Sequence, residues 1–339
     1  MRHIGVDLHS TQITVCYLEN DEYTLEKIML TEFDKFTAKL LPSDSIAVEA
    51  TTNSNWFYAK CKDLVAKIVV VNSAIFKVIA SSCNKTDDND AMLLAKYLSN
   101  DMLPESKVKD PQLLHLQGLL DIRCLLVKQR TMNKNQIHAL CLQQGIKLKA
   151  SALDSIKGLN NVLNTTEGIL QITLESLVRV IKSINNEIKL IDTKLADEGG
   201  KLPGYEHLTT IKGLGATTAI MLVIAIGNIN NFDSNKKLAA YFGLVPTVRN
   251  SNETIKHGGI TKKGDAKIRA NLVQCAIVAI KYNPILGEFY KKLKLKKGHG
   301  IAIIATARKL LTIIYATLKN GWYFTDFCNN QREIKAIAW

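Results

Sequence analysis

The sequence predicts a mixed α/β domain followed by an all-α remainder, and three observations carry that expectation. The first hundred residues alternate strand and helix signals. From about Pro111 to Gly200 the periodicity is helical throughout. Beyond the Pro203-Gly204 pair the chain is glycine-punctuated, largely helical and strongly basic. The expected domains are residues 1–108, 109–200 and 201–325.

In the first domain, residues 2–8, 12–18 and 23–30 read as consecutive strands, rich in Ile, Val and Thr and broken by short polar turns. A helix is expected over 31–41, a strand over 45–50 and a helix over 54–66. Residues 67–72 form a run of nearly unbroken Val and Ile, which predicts a strand buried on both faces. Three antiparallel strands followed by alternating helix and strand give a mixed sheet. In the second domain, Leu170, Leu174, Leu177, Ile181, Ile184, Ile188, Ile191 and Leu195 alternate spacings of four and three, an a/d seam of more than three heptads. Helices of the same chain could meet this coiled-coil seam, but its length favours self-association, hence a homo-oligomer, a dimer or tetramer.

A chain of 339 residues, 47% hydrophobic with 19 Gly and 6 Pro, is long enough for two or three cored domains and excludes disorder over most of its length. No apolar run reaches the roughly 18–20 residues of a spanning helix, and the start Met1-Arg-His-Ile-Gly-Val-Asp has no apolar signal region. The expectation is a cytoplasmic protein without a membrane partner. Its seven cysteines are scattered, with no Cys-x-x-Cys pair, and read as reduced thiols. The formal charge is +13, and residues 232–309 alone hold 16 Lys+Arg against four acids. Such a concentration suits a surface that neutralises phosphates.

The acids of the first domain are placed against this trend. Asp7 lies near the end of the apolar first strand, and Glu49 repeats the pattern in the fourth. A carboxylate in a buried strand costs several kcal/mol unless a metal or hydrogen bonds compensate it. In Thr86-Asp-Asp-Asn-Asp-Ala91, which opens a helix with the apolar stripe Ala91, Leu94, Ala95 and Leu98, Asp87 falls mid-stripe and Asp90 projects to the same side. Asp87 with Asp90 is therefore a better joint ligand set than Asp87 with Asp88. Helix N-capping by Thr86 accounts for any one of these acids alone. Together Asp7, Glu49, Asp87 and Asp90 make an all-oxygen site for Mg²⁺ or Mn²⁺, able to serve in-line phosphoryl transfer.

In the basic domain, Leu208-Thr-Thr-Ile-Lys-Gly-Leu-Gly-Ala-Thr-Thr-Ala219 predicts a hairpin between two short helices. Lys212, Gly213 and Gly215 would offer a charge and backbone N–H groups to a phosphate. Lys262, Lys263, Lys267 and Arg269 are further candidate phosphate contacts. The denser run Lys291, Lys292, Lys294, Lys296 and Lys297 covers more than one helix face.

Taken in order, Gly-Val-Asp, Val-Glu-Ala-Thr, Lys-Thr-Asp-x-x-Asp-Ala, Ile-Lys-Gly-Leu-Gly, Gly-Leu-Val-Pro-x4-Ser and Ile-Thr-Lys-Lys-Gly-Asp-x3-Arg resemble the DEDD transposases of bacterial and archaeal insertion sequences. These are the bridge-RNA-guided recombinases related to the pilin-gene invertase, and the resemblance covers residues 1 to about 320. It implies an RNase H-like domain of Holliday-resolvase type, a coiled-coil connector, and a helical C-terminal transposase domain with a helix-hairpin-helix. It carries the metal-binding acids onto Asp7, Glu49, Asp87 and Asp90, and a nucleophilic serine onto Ser251. It further implies that acids and serine come from different subunits, that the partners are element-end and target DNA, and that a bridge RNA guides the reaction. One departure is Asn252, where members commonly have Gly; Asn is the next most tolerant residue for a special backbone turn.

The implied activity is a Mg²⁺-dependent DNA recombinase with a serine–DNA intermediate. A junction-resolvase-like endonuclease using only the acids would cut without a covalent adduct. A non-catalytic nucleic-acid-binding protein would need neither the metal nor the acids.

Overall fold

The computed structural model describes residues 2–72, 76, 86–106, 108, 110–251 and 254–324, and the chain divides into two compact units at Asp110–Pro111. Unit one holds a five-stranded sheet. Its strands are β1 (His3–Leu8), β2 (Gln12–Glu19), β3 (Glu22–Met29), β4 (Ser45–Glu49) and β5 (Lys67–Val71), in the order β3-β2-β1-β4-β5. The β1–β2 and β2–β3 pairs are antiparallel, and β1–β4 and β4–β5 are parallel. This is the mixed sheet that the sequence predicts. Helix α1 (Phe33–Thr37) and α2 (Ser54–Cys61) are shorter than expected, since a 3₁₀ turn at Leu30–Glu32 takes the place of the first turn of α1.

Alternation along the strands divides the unit into two cores. Ile4, Val6, Leu8, Ile46, Val48, Ile68 and Val70 face one side, packing with Phe33, Phe36 and Phe57. The other parity, including Ala47, Val69 and Val71, packs on Leu94 and Leu98 of α3 (Asp87–Ser99). Gly5 lies on this second face, where an added Cβ would stand 2.0 Å from the carbonyl oxygen of Ala91. Any larger residue would push α3 off the sheet. As expected, β5 is buried from Ile68 to Val71.

Unit two is mostly helical: α4 (Pro111–Gln143), α5 (Ile156–Asn164), α6 (Gly168–Gly199), α7 (Tyr205–Thr209), α8 (Ala216–Ile226), α9 (Asn235–Tyr241), α10 (Ala266–Tyr282) and α11 (Pro284–Asn320). Much of the α6 seam packs within the chain, against α4, so a helix of the same chain meets it. Arg123 of α4 pairs with Asp192 and Arg130 Nη1 donates to Asn185 Oδ1 at 3.0 Å, so α4 and α6 run antiparallel. Leu174 and Ile181 pack with Ile137 and Cys141, while Leu195 joins Leu116, Leu120 and Ile220. A partner helix of 33 residues, longer than the seam itself, was available inside the chain, and much of the stripe is buried against it.

Two features escaped the sequence reading. Among the described residues, Pro246–Ser251 (β6) and Thr254–Ile260 (β7) form an antiparallel hairpin inside a region read as helical. Arg249, Asn250, Gly258 and Gly259 break the hydrophobic alternation that would have announced it. Second, α11 is long and apolar enough to cross a membrane by length and composition, with a mean hydropathy of 1.6 in its most apolar window. That window contains Arg308 and Lys309 within an otherwise uncharged stretch, and 61% of it is buried. Ile303, Ala307, Leu310, Leu311, Ile313 and Ile314 are core residues of unit two, so α11 is read as a buried helix. The five described cysteines, Cys16, Cys61, Cys124, Cys141 and Cys275, are free; Cys83 and Cys328 lie outside the described residues.

Candidate metal centre

The sheet register lines up one row of side chains across the face that α3 covers. Asp7 is opposite Thr14 of β2, and Thr14 is opposite Lys27 of β3. Asp7 follows Val6, and Glu49 follows Val48, the pair that closes the parallel β1–β4 register. Asp7 therefore shares the parity of Gly5, and Glu49 that of Ala47, both residues on the α3 side. The two acids emerge at the same ends of adjacent strands because a parallel register puts their backbone neighbours side by side.

Helix α3 brings the other acids. Thr86 caps it, its Oγ1 accepting from the Asn89 N–H at 3.2 Å. Asp87 opens the helix above β1, and Asp90, 7% exposed, is buried one turn further on. Asp88 pairs with Lys27 Nζ of β3 at 2.9 Å.

The closest grouping includes a residue that the sequence reading did not single out. Ligand atoms of Asp7, His9 and Asp87 all lie within 4.8 Å of one another. His9 Nε2 is 3.0 Å from Asp7 Oδ2 and 3.5 Å from Asp87 Oδ2. The signal was present in Asp7-x-His9, because a period of two at a strand end places both side chains on one face. Glu49 and Asp90 are not members of this tight group. Burial pushes the Asp7 carboxyl above its ordinary range, His9 pulls it back, and the negative charges of Asp87 and Glu49 add to the rise. Carboxylates that raise one another's proton affinity form a donor set in need of a cation, so the residues fit a divalent metal.

The basic candidates fall into two groups. Arg269 is committed to the fold: Nη1 donates to the carbonyls of Lys263 at 3.0 Å and Gly264 at 2.8 Å. Lys267 Nζ pairs with Asp121 at 2.6 Å, and its backbone N–H is capped by Asp265. The Gly-Asp-x3-Arg segment thus builds the N-terminus of α10. Lys262 and Lys263 are exposed on the preceding loop and have no ion-pair partner recorded in the described structure. Gly213, at φ +106°, makes the turn before α8, and an added Cβ would stand 2.9 Å from the Ala279 nitrogen. Gly215 occupies the N-cap of α8 with open space beside it, and Lys212 is exposed next to this turn. Ser251 is the last residue of β6, in register with Thr254; Asn252 lies outside the described residues.

Comparison with known families decides the assignment. Residues 4–145 match a family model described as a transposase of the DEDD IS110 type, and residues 205–291 match the "Transposase IS116/IS110/IS902 family". The chain belongs to the IS110/IS116 family of DEDD transposases. Its relatives in that family include the transposase for insertion sequence element IS1111A of Coxiella burnetii, 25% identical, with 93% of this chain and 89% of the relative aligned. The IS1328 transposase of Yersinia enterocolitica is 25% identical over 95% of this chain and 98% of its own. The pilin gene-inverting protein of Moraxella bovis is 29% identical over 75% and 73%. The first family match spans the sheet, α3 and every acid of the cluster, and the second spans the hairpin turn at Gly213, the β6–β7 hairpin and the Arg269 clamp.

Proposed function

We propose that this IS110-family chain is the DNA recombinase of an insertion sequence, dependent on Mg²⁺ or Mn²⁺, working through a serine–DNA intermediate under the guidance of a bridge RNA in the cytoplasm. What supports the reading above all is the grouping of Asp7, His9 and Asp87 at one end of a mixed sheet, in a chain of this family. The mixed sheet covered on one face by α3 fits the RNase H-like domain that the resemblance implies.

In this reading Asp7, Glu49, Asp87 and Asp90 hold the divalent ions. Such ions, when bound, neutralise charge at the scissile phosphate and favour deprotonation of an oxygen nucleophile. The chain supplies the rest. The Ser251 hydroxyl attacks phosphorus, forming an Oγ–P ester as the bond to the leaving deoxyribose oxygen breaks; that oxygen takes up the proton which serine loses. Attack by the hydroxyl of another strand reverses these changes, restores Ser251 and seals the new junction. Bond energy is conserved in the ester, so no nucleotide cofactor is consumed. Lys262 and Lys263, with Lys212 and the N–H groups of the Gly213–Gly215 turn, hold phosphates and fix the register of the strands. The partners are element-end and target DNA, the RNA, and further copies of the chain.

The acids alone would also support hydrolysis by water, as in a junction-resolving endonuclease. The test is to incubate the protein with DNA carrying the element's own ends and Mg²⁺, then digest and analyse the peptides. A DNA-linked peptide containing Ser251, absent from Ser251→Ala, is expected. Cleavage without an adduct, unimpaired by Ser251→Ala, would overturn the serine step and leave the endonuclease. Strand exchange by Asp7→Ala would overturn the role of the acids.

A further inference from the structure

A cleft of about 540 Å³ opens on the far side of the β1 terminus from the acids. Its apolar walls are Leu8, Leu30 and Trp56, and Thr51 and Asn53 line its polar side. His9 is shared: it lines this cleft, and its Nε2 lies 3.0 Å from Asp7 Oδ2 and 3.5 Å from Asp87 Oδ2. One residue therefore borders both the cleft and the candidate metal centre. Asn53 Nδ2 donates to the His9 carbonyl at 2.9 Å and Thr51 Oγ1 donates to Asn53 Oδ1 at 2.9 Å, which ties the two walls together.

We infer that this cleft receives one unstacked nucleobase of the strand whose phosphate lies at the acids, with the base stacked on the indole of Trp56. The inference rests on the recombinase reading above. Three properties point to a base. Among the described residues lining the cleft there is no Lys, Arg, Asp or Glu, and its lining is mainly apolar and neutral polar. The indole is held on one side by Phe33, ring centroids 4.7 Å apart, and Trp56 is still 40% exposed. A flat apolar face with hydroxyl and amide groups at its edge matches a nucleobase, which has a π-face and a hydrogen-bonding rim. The volume is within the range of small-molecule sites. Taking one base out of the stack beside the reacting phosphate would fix which phosphate enters the metal centre, making Trp56 a positioning residue.

The test uses the full-length protein with Ca²⁺ and single-stranded oligonucleotides carrying 5-iododeoxyuridine at successive positions, irradiated and analysed by peptide mass spectrometry. A cross-link at Trp56 is expected from one position only. Trp56→Leu, which keeps an apolar contact with Phe33 but has no flat face, should lose that cross-link and bind about tenfold more weakly. Trp56→Phe should remain within twofold of the parent. Circular dichroism verifies that both variants fold; should Trp56→Leu fail to, the position-specific cross-link in the parent and the affinity of Trp56→Phe still decide. Cross-links confined to the basic unit, with both variants binding like the parent, would overturn the base site and leave the recombinase reading standing. Absence of any binding by the parent protein would overturn both.

Discussion

The His9 imidazole Nε2 lies 3.0 Å from Asp7 Oδ2 and 3.5 Å from Asp87 Oδ2, and so bridges a strand acid and a helix acid. In the metal-free chain this contact relieves part of the repulsion that a cation would otherwise relieve. The same position, two residues past Asp7 on the same face, makes His9 a boundary between the acids and the neighbouring cleft.

Asp7 gives a stability prediction with a definite sign. Its folded-state pKa is raised, chiefly by burial, so folding disfavours the ionised form. The folded state therefore loses stability as pH rises from the ordinary carboxylate value of 3.8 through the raised one. Asp7→Asn should raise the Tm of the metal-free protein at pH 7 by about 2–4 °C, with no gain at pH 3. Added Mn²⁺ should stabilise the parent but not the variant. Calorimetry with and without the ion measures both.

The α4–α6 pair gives the second. Ile181 is fully buried against α4 in the same chain. Ile181→Ala should lower the stability of the helical unit by about 3 kcal/mol, read as a shifted urea midpoint, without changing the mass by light scattering. A smaller mass with an unshifted midpoint would mean that the seam joins two copies after all.

The basic loop gives the third. Lys262→Gln with Lys263→Gln should weaken DNA binding and flatten the dependence of log K on log salt by about 2, the release expected of two phosphate contacts. Arg269→Met should leave that slope unchanged and lower the Tm, because its guanidinium holds the carbonyls of Lys263 and Gly264. Titrations at four salt concentrations distinguish a phosphate ligand from a loop clamp.

Much of the first unit was legible because its signals are local. Strand alternation, the apolar run at residues 67–72 and the α3 stripe each report one element's burial without reference to the others, and they marked Asp7, Glu49, Asp87 and Asp90 as acids on buried faces. The α6 seam was equally legible as a seam. Its partner was not, since an a/d stripe records that a helix is covered and not by which helix. The partners of Lys267 and Arg269 were hidden for a related reason: a cation in a sequence looks the same whether it meets a phosphate, a carboxylate or a carbonyl.

By itself the sequence determined the mixed sheet, the acids at its edge, the separation of acidic and basic regions, and the family motifs in order. These depend on periodicity and residue type, which are properties of the chain. Only the tertiary structure decided that His9 joins Asp7 and Asp87, that Asp88 belongs to Lys27, that Arg269 clamps a loop, and that Ser251 ends a β-strand. These are set by register, packing and loop geometry, and a contact such as that of Asp88 with Lys27, between residues far apart in the chain, leaves no mark in either residue's own neighbourhood.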